Sequence, residues 1–274
     1  MGRKGAESSL APGTIHVWVW ELDREAAIPA LISVLCAEEL VRARRYRRET
    51  DQIRFVCSRG GMRRILADYV GVAPQELRFG VGRVGKPFLV WPSVKELRFN
   101  LAHSGGLAVL VVSSLAEVGV DVEWGRKVVN TSGLAQRFFS SEEAAAISRL
   151  SGEDQQMLFL RFWTCKEAVL KGVGAGLTLG LEKVAIPWLL TASAFSLPPV
   201  CGEGDWSSSP SKVVLSTQHS AKLLGEEDGF SFGHEWWVWE WRPGAEYLAA
   251  IACSHPWERT SIRWWSGDEK LKVI

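Results

Sequence analysis

The sequence predicts an α+β protein built from two similar halves. Three observations carry that expectation: short β-branched or alternating runs that read as strands, longer stretches rich in helix formers between them, and a weak internal repeat. The 274 residues suffice for one large domain or two small ones, and 47% hydrophobic with 23% charged residues is ordinary globular usage.

Ile15 to Trp20 (IHVWVW) reads as a strand, followed by a helical segment from about Glu38 to Arg48. Arg54 to Tyr69 continues as a second helix, with Phe55, Met62, Ile65, Leu66 and Tyr69 forming one apolar stripe and Gly71 as its stop. The turn-rich GVGRVGKP (Gly80 to Pro87) is a loop, and Phe99 to His103 and Leu107 to Ser113 are strands. In the strand Val118 to Trp124, the period of two puts Val118, Val120 and Val122 on one face and Gly119, Asp121 and Glu123 on the other. Ser140 or Ser141 caps a helix that opens with Glu142-Glu143 and runs to about Leu150. Gln155 to Val173 is a longer helix closed by GVGAG. Pro187 to Gly233 is irregular and reads as an insertion or long hairpin. The Trp-rich Trp236 to Trp241 and then Leu248 to Ser254 restore strand character. Trp264-Trp265 suit either the cover of a sheet edge or a partner surface.

The repeat relates Glu38-Glu39 and Gln52-x-x-Phe55 to Glu142-Glu143 and Gln156-x-x-Phe159 at one displacement, and LAVLVVS (107 to 113) to LAAIACS (248 to 254) at a larger one. An insertion in the irregular stretch accounts for the difference. The expected division is an N-terminal half over 1–116, a C-terminal half over 117–256 with the insertion near 187–233, and a tail over 257–274. A site belongs in the cleft between the halves.

A net charge of +1 and a pI near 7.7 give no global reason to bind nucleic acid or an anionic membrane. The five cysteines lack CxxC spacing, which fits a reducing cytoplasm rather than a disulfide framework or zinc site. The amino terminus has no apolar signal core, and no run approaches the roughly eighteen apolar residues of a membrane span.

Asp121 and Glu123, sharing one strand face, need a compensating cation; an acidic edge strand facing water is the plainer alternative. Mg²⁺, which prefers carboxylates and keeps positions open for water or phosphate, suits such a pair. FWTCKEAVLKGVGAG (Phe162 to Gly176) adds Glu167 and Lys171 one helical turn apart, with Lys166 beside them. Acids that hold a metal next to lysines that neutralise phosphate charge suit a metal-bound pyrophosphate. Arg42, Arg44, Arg45, Arg47 and Arg48 form a basic run whose plain reading is a solvated helix face.

GVDVE (Gly119 to Glu123) and W-T-x-K-E-A-x-x-K (Trp163 to Lys171) resemble the two signature motifs of the 4′-phosphopantetheinyl transferase superfamily. GKP (Gly85 to Pro87) and FNLAHS (Phe99 to Ser104) resemble further motifs of its single-chain, Sfp-type branch. The resemblance covers roughly Glu38 to Leu177. It implies the transferase fold, two α+β halves related by a pseudo-twofold with the active site between them. It also implies Mg²⁺-dependent transfer of the phosphopantetheine arm from coenzyme A to a serine of an apo acyl or peptidyl carrier protein, releasing adenosine 3′,5′-bisphosphate. Carried over by position, Asp121, Glu123 and Glu167 ligate the metal, Lys166 and Lys171 contact the phosphates, and Glu143 stands where the family has a carboxylate proposed as general base. His103 with Asn100, Lys86-Pro87, Arg42 and Arg59 fall at coenzyme A contacts. Ala102 replaces a common Ser and removes one hydroxyl contact. An internal pseudo-dimer implies a monomer. The alternative is a catalytically weak module of the same fold that binds coenzyme A or a carrier protein.

Overall fold

The alternation of IHVWVW sends side chains to both faces of a strand, and here both faces are covered: every residue from Thr14 to Trp20 is buried. The computed structural model describes residues 14–82, 85–114, 116–125, 128–174, 179–191, 196–207, 210–214 and 235–266. The amino-terminal segment, Ala175-Gly176 of GVGAG, much of the irregular stretch and the end of the tail lie outside them.

In chain order the elements are β1 (Thr14–Glu21), α1 (Ile28–Ile32), α2 (Ala37–Arg44), α3 (Glu49–Val70), β2 (Arg78–Val81), β3 (Pro87–Trp91), β4 (Arg98–Ser104), β5 (Leu107–Ser113) and β6 (Val118–Trp124). Then follow α4 (Thr131–Phe138), α5 (Ser141–Ser148), α6 (Gly152–Val173), β7 (Gly204–Ser207), β8 (Ser211–Val214), β9 (Glu235–Trp241), β10 (Tyr247–Cys253) and β11 (Arg259–Trp264). One sheet has the order β4-β5-β1-β11-β7, the other β6-β10-β9-β8, and β2-β3 is a separate hairpin.

The two larger sheets pack face to face. Ile15, Val17 and Val19 of β1, Val109 and Val111 of β5, and Val118, Val120 and Val122 of β6 meet Trp239, Trp241 and Ile251 in one cluster. On the outer face of the first sheet Trp18, Trp20, Leu110 and Val112 pack with Met62, Ile65 and Leu66 of α3. On the outer face of the second, Trp236, Val238, Ala250 and Ala252 pack with Phe162, Val169 and Val173 of α6. The result is four layers, helix, sheet, sheet, helix. The two cover helices match in kind: α3 and α6 are both 22 residues long, and Gly71 (φ 69°) and Gly174 (φ 74°) end them in the left-handed conformation.

The expected capping at Ser140 holds, since its hydroxyl accepts from the Glu143 N–H while the Glu143 carboxylate accepts from the Ser140 N–H. Two expectations change. The segment read as a tail contains β11, which lies parallel to β1 and antiparallel to β7 inside the first sheet. The irregular stretch contributes β7 to one sheet and β8 to the other. Trp265 follows β11 into the core, its ring edge-on to Trp20 at 6.1 Å, while Trp264 is partly exposed.

Candidate active site

The site is built where β4 and β6, each an edge strand of its own sheet, run beside one another. Side chains join them. The Asn100 Oδ1 accepts from the Val120 N–H at 3.0 Å, and the Ser104 hydroxyl accepts from the Trp124 N–H at 3.1 Å while donating to Glu123 Oε2 at 3.0 Å. These bonds satisfy β6 backbone groups that an edge would otherwise leave unpaired.

On its other face β6 lies against α6. A Cβ on Gly119 would fall 2.0 Å from the Ala168 carbonyl oxygen and 2.3 Å from the Gly172 nitrogen, so only glycine fits this contact. Two residues further along β6, the buried Asp121 accepts an ion pair from Lys171 at 2.5 Å. Glu167, one turn before Lys171, is half-buried on the same side of the helix.

The electrostatics of this group are those of a place short of positive charge. Burial raises the pKa of Asp121 despite the pull of Lys171. Burial also raises Glu167; Lys171 opposes this, and the charges of Asp121 and Glu123 add to it. Lys171 itself, which burial alone would lower, is raised by Asp121 first and then by Glu167 and Glu123. One ammonium ion therefore does not balance three carboxylates. The second oxygen of Asp121 is buried without a hydrogen-bond partner, an acceptor facing a desolvation cost. Among the described residues no three acidic, His or Cys side chains are grouped so that they could hold a metal ion as they stand. In the expected triad Glu167 thus feels the charges of Asp121 and Glu123, and Asp121 is drawn onto Lys171. Oxygen donors, a surplus of negative charge and an orphaned acceptor fit a hard divalent cation.

His103 is an exposed residue of β4, on the strand face opposite the buried Ala102. Partial desolvation, then the charges of Lys171 and Arg54, hold its pKa below the usual imidazole range. Arg54 was not singled out from the sequence. It makes a two-pronged bond to Asp23, 2.7 and 2.8 Å, beside the Ser104-Gly105-Gly106 turn, and the Tyr247 hydroxyl accepts from the Gly106 N–H. A motif-free Arg, an Asp some thirty positions away and a tyrosine from β10 carry no shared sequence signal.

Two comparisons bear on what this arrangement is. Residues 117–197 match the profile of the 4′-phosphopantetheinyl transferase superfamily, and residues 20–115 match that of the 4′-phosphopantetheinyl transferase N-terminal region. The 4′-phosphopantetheinyl transferase HetI of Nostoc sp. is 36% identical over 198 residues, which is 69% of this chain and 83% of HetI. The chain belongs to the 4′-phosphopantetheinyl transferase superfamily. A 4′-phosphopantetheinyl transferase of Bacillus subtilis is 30% identical over 57% of this chain and 67% of its own length. The Sfp transferase of Bacillus subtilis strain 168 is 25% identical over the same shares.

In this transferase three of the expected site residues are engaged inside the protein. Lys166 is fully buried: its ammonium ion pairs with Glu143 at 2.8 Å, donates to the Leu181 and Val184 carbonyls, and lies over the rings of Phe139 and Phe162. Glu143, 2% exposed, is occupied by that pair and by its capping bond. In this structure the two side chains are engaged with one another inside the protein. Asn100 is 4% exposed with its side-chain oxygen on the Val120 N–H, so it braces the strand seam.

The other expected contact residues of the transferase have the following partners. Lys86 donates to Glu117 (2.6 Å), the Val118 carbonyl (3.1 Å) and the Gly172 carbonyl (2.7 Å), and Pro87 opens β3 half-buried. Arg42 is exposed and stacks over Phe55 at 5.3 Å. Arg59 donates to Glu39, which also binds Arg63; burial lowers the Arg59 pKa, against the charge of Glu39. Ala102 is buried between the sheets, and the Ser104 hydroxyl is committed to Glu123 and Trp124.

Proposed function

We propose that this transferase moves the 4′-phosphopantetheine arm of coenzyme A onto a serine of an apo acyl or peptidyl carrier protein, with adenosine 3′,5′-bisphosphate as leaving product, and that it requires Mg²⁺. The observation that carries the metal reading is the buried, partnerless Asp121 oxygen among carboxylates whose pKa values are raised. Asp121, Glu123 and Glu167 would hold the ion, which supplies charge neutralisation of the pyrophosphate and of the leaving oxygen. Lys171 is kept protonated by its acidic neighbours and contributes a fixed positive charge to the phosphates. His103, with Arg42 and Arg59 further along the coenzyme, would take the 3′-phosphate. Glu143, paired with Lys166 in this structure, or a water beside the metal would receive the serine proton.

The division near residue 116 into two halves related by a pseudo-twofold is part of the same reading, supported by the matching cover helices. So are action as a monomer and a place in the cytoplasm, the latter supported by five cysteines that are all unpaired. No helix among the described residues is long and apolar enough to cross a membrane.

The test is to incubate the purified protein with Mg²⁺, coenzyme A and apo carrier proteins of fatty-acid, polyketide and peptide type, then weigh the carriers by mass spectrometry. A phosphopantetheine adduct on one of them, lost with EDTA, is the expected result. Absence of an adduct across the panel, with coenzyme A still bound, would favour the binding-module alternative.

A further inference from the structure

Lys86 belongs to a segment that resembles a nucleotide-contacting motif, yet its ammonium ion points the other way. All three of its bonds go inward, to the Glu117 carboxylate and to the carbonyls of Val118 and Gly172. The side chain is only 16% exposed, and Glu117 is shared with Arg98 at 2.6 Å. An ammonium ion has three protons, and these partners use all of them.

The placement of the partners matters more than their number. Val118 opens β6 and immediately precedes Gly119; Gly172 lies in the last turn of α6 and immediately follows Lys171. Lys86 therefore ties strand to helix at the point where the two backbones touch through Gly119 and Gly172. Trp236 presses Gly172 from behind, since a Cβ there would fall 2.4 Å from its ring, and Gly174 packs on the Lys86 stem. From this crossing Asp121 and Glu123 extend along β6, and Lys171 and Glu167 extend back along α6. The spacing at the crossing sets the spacing of the acids.

We infer that Lys86 is a positioning residue: its ammonium ion, acting with the Gly119–Gly172 contact, holds β6 and α6 at the separation that lets Asp121, Glu123 and Glu167 share one cation. This rests on the metal reading above. A lysine that holds metal-bearing elements through backbone carbonyls acts as outer-shell partners of metal ligands do, and loss of such partners costs roughly 10- to 100-fold in metal affinity.

The experiment separates positioning from nucleotide contact by measuring the two ligands independently. Mn²⁺, an oxygen-seeking stand-in for Mg²⁺, is titrated into nucleotide-free protein and followed by the electron paramagnetic resonance signal of the free ion. Adenosine 3′,5′-bisphosphate is titrated without metal by calorimetry. Lys86→Met is expected to weaken Mn²⁺ at least roughly tenfold and leave bisphosphate binding unchanged. Gly119→Ala, whose methyl group drives the strand off the helix, is expected to give the same pattern. Bisphosphate binding lost with Mn²⁺ binding intact would make Lys86 a nucleotide contact and overturn the inference, as would Mn²⁺ affinity equal to wild type. If Lys86→Met has no cooperative melt, Glu117→Gln loosens the same ammonium ion without removing it and must show the same split at smaller size; no change in its Mn²⁺ affinity sinks the inference. Wild-type protein that binds no Mn²⁺ would instead overturn the metal reading itself.

Discussion

Lys166 and Glu143 form an ion pair sealed inside the second half, 2.8 Å apart with side chains 0% and 3% exposed. It joins the first turn of α5 to the middle of α6, and the same ammonium ion closes the carbonyls of Leu181 and Val184. Removing one partner of such a pair strands a buried charge, at a cost of about 3–5 kcal/mol. Lys166→Met should lose stability on that scale in urea denaturation. The double variant Lys166→Met, Glu143→Gln should recover part of it, because the orphaned carboxylate is gone. A single variant as stable as wild type would show that the pair is not closed in solution.

Asp121 illustrates the opposite balance. Its folded pKa is raised, so the ionised form is disfavoured in the fold and its stability cost grows as pH rises through the ordinary carboxylate range. Asp121→Asn removes that cost. Metal-free variant should melt above wild type at neutral pH, while transfer falls roughly hundredfold or more. Mg²⁺ should raise the melting temperature of wild type and not of the variant. Scanning calorimetry with and without the ion, beside the carrier assay, checks all three; a variant that melts lower while retaining transfer would place the metal elsewhere.

For His103, the free protein should show an imidazole titrating below its usual range, as partial desolvation and the nearby Lys171 and Arg54 dictate. A 3′-phosphate beside the ring adds negative charge and should shift the titration upward. Adenosine 3′,5′-bisphosphate is expected to produce that shift in the proton NMR of the ring, and adenosine 5′-monophosphate is not. Equal response to both would detach His103 from the 3′-phosphate.

His16 gives a stability signature away from the site. Burial, then the charge of Arg263, lowers its pKa from 6.5 to about 4, against the weaker pull of Asp205, and its ring nitrogen bonds the Tyr69 hydroxyl at 2.6 Å. Between these values the unfolded chain binds the proton that the folded chain refuses. Stability is therefore complete above pH 6.5 and is lost as pH falls toward 4, by about 3 kcal/mol in all. In His16→Gln that component of the pH dependence disappears. Denaturation midpoints at pH 7 and pH 4.5 measure it, and parallel losses in both proteins would remove His16 as the cause.

Much of this was legible in the sequence because the periodicities are local. The valines of β6 and the acids opposite them are separated by an alternation that holds whatever β6 packs against, and Gly71 and Gly174 end their helices for reasons contained in one residue. What hid was direction. Lys166 and Glu167 are neighbours in sequence but about 100° apart around the helix, so one faces the core and the other the cleft. The signal was available: Lys166 lies one turn after Phe162, in a stripe with Cys165, Val169 and Val173, all buried. Lys86 and Arg54 were beyond such reasoning, since their partners Gly172 and Asp23 are set by the tertiary fold.

Trp265 tests the closing segment. Its ring meets Trp20 and fills the space over Gly61, where a Cβ would fall 2.7 Å away. Trp265→Ala should cost about 3–5 kcal/mol, as for other buried aromatic truncations. A loss below about 1 kcal/mol would mean that the ring is not held there.

The position of β11 also governs the order in which the molecule can be made. Thr14 pairs with Arg259 and Val19 with Trp264, so β1 gains its second neighbour only from β11, far along the chain. Contacts between such distant positions form late and slowly. As the ribosome releases the chain, β1 emerges with one side uncovered, and its sheet is finished only once β11 has inserted between β1 and β7. Cutting the protein near residue 116 would accordingly give two fragments, neither carrying a complete sheet for β1, and activity would return only when both are present to exchange that strand.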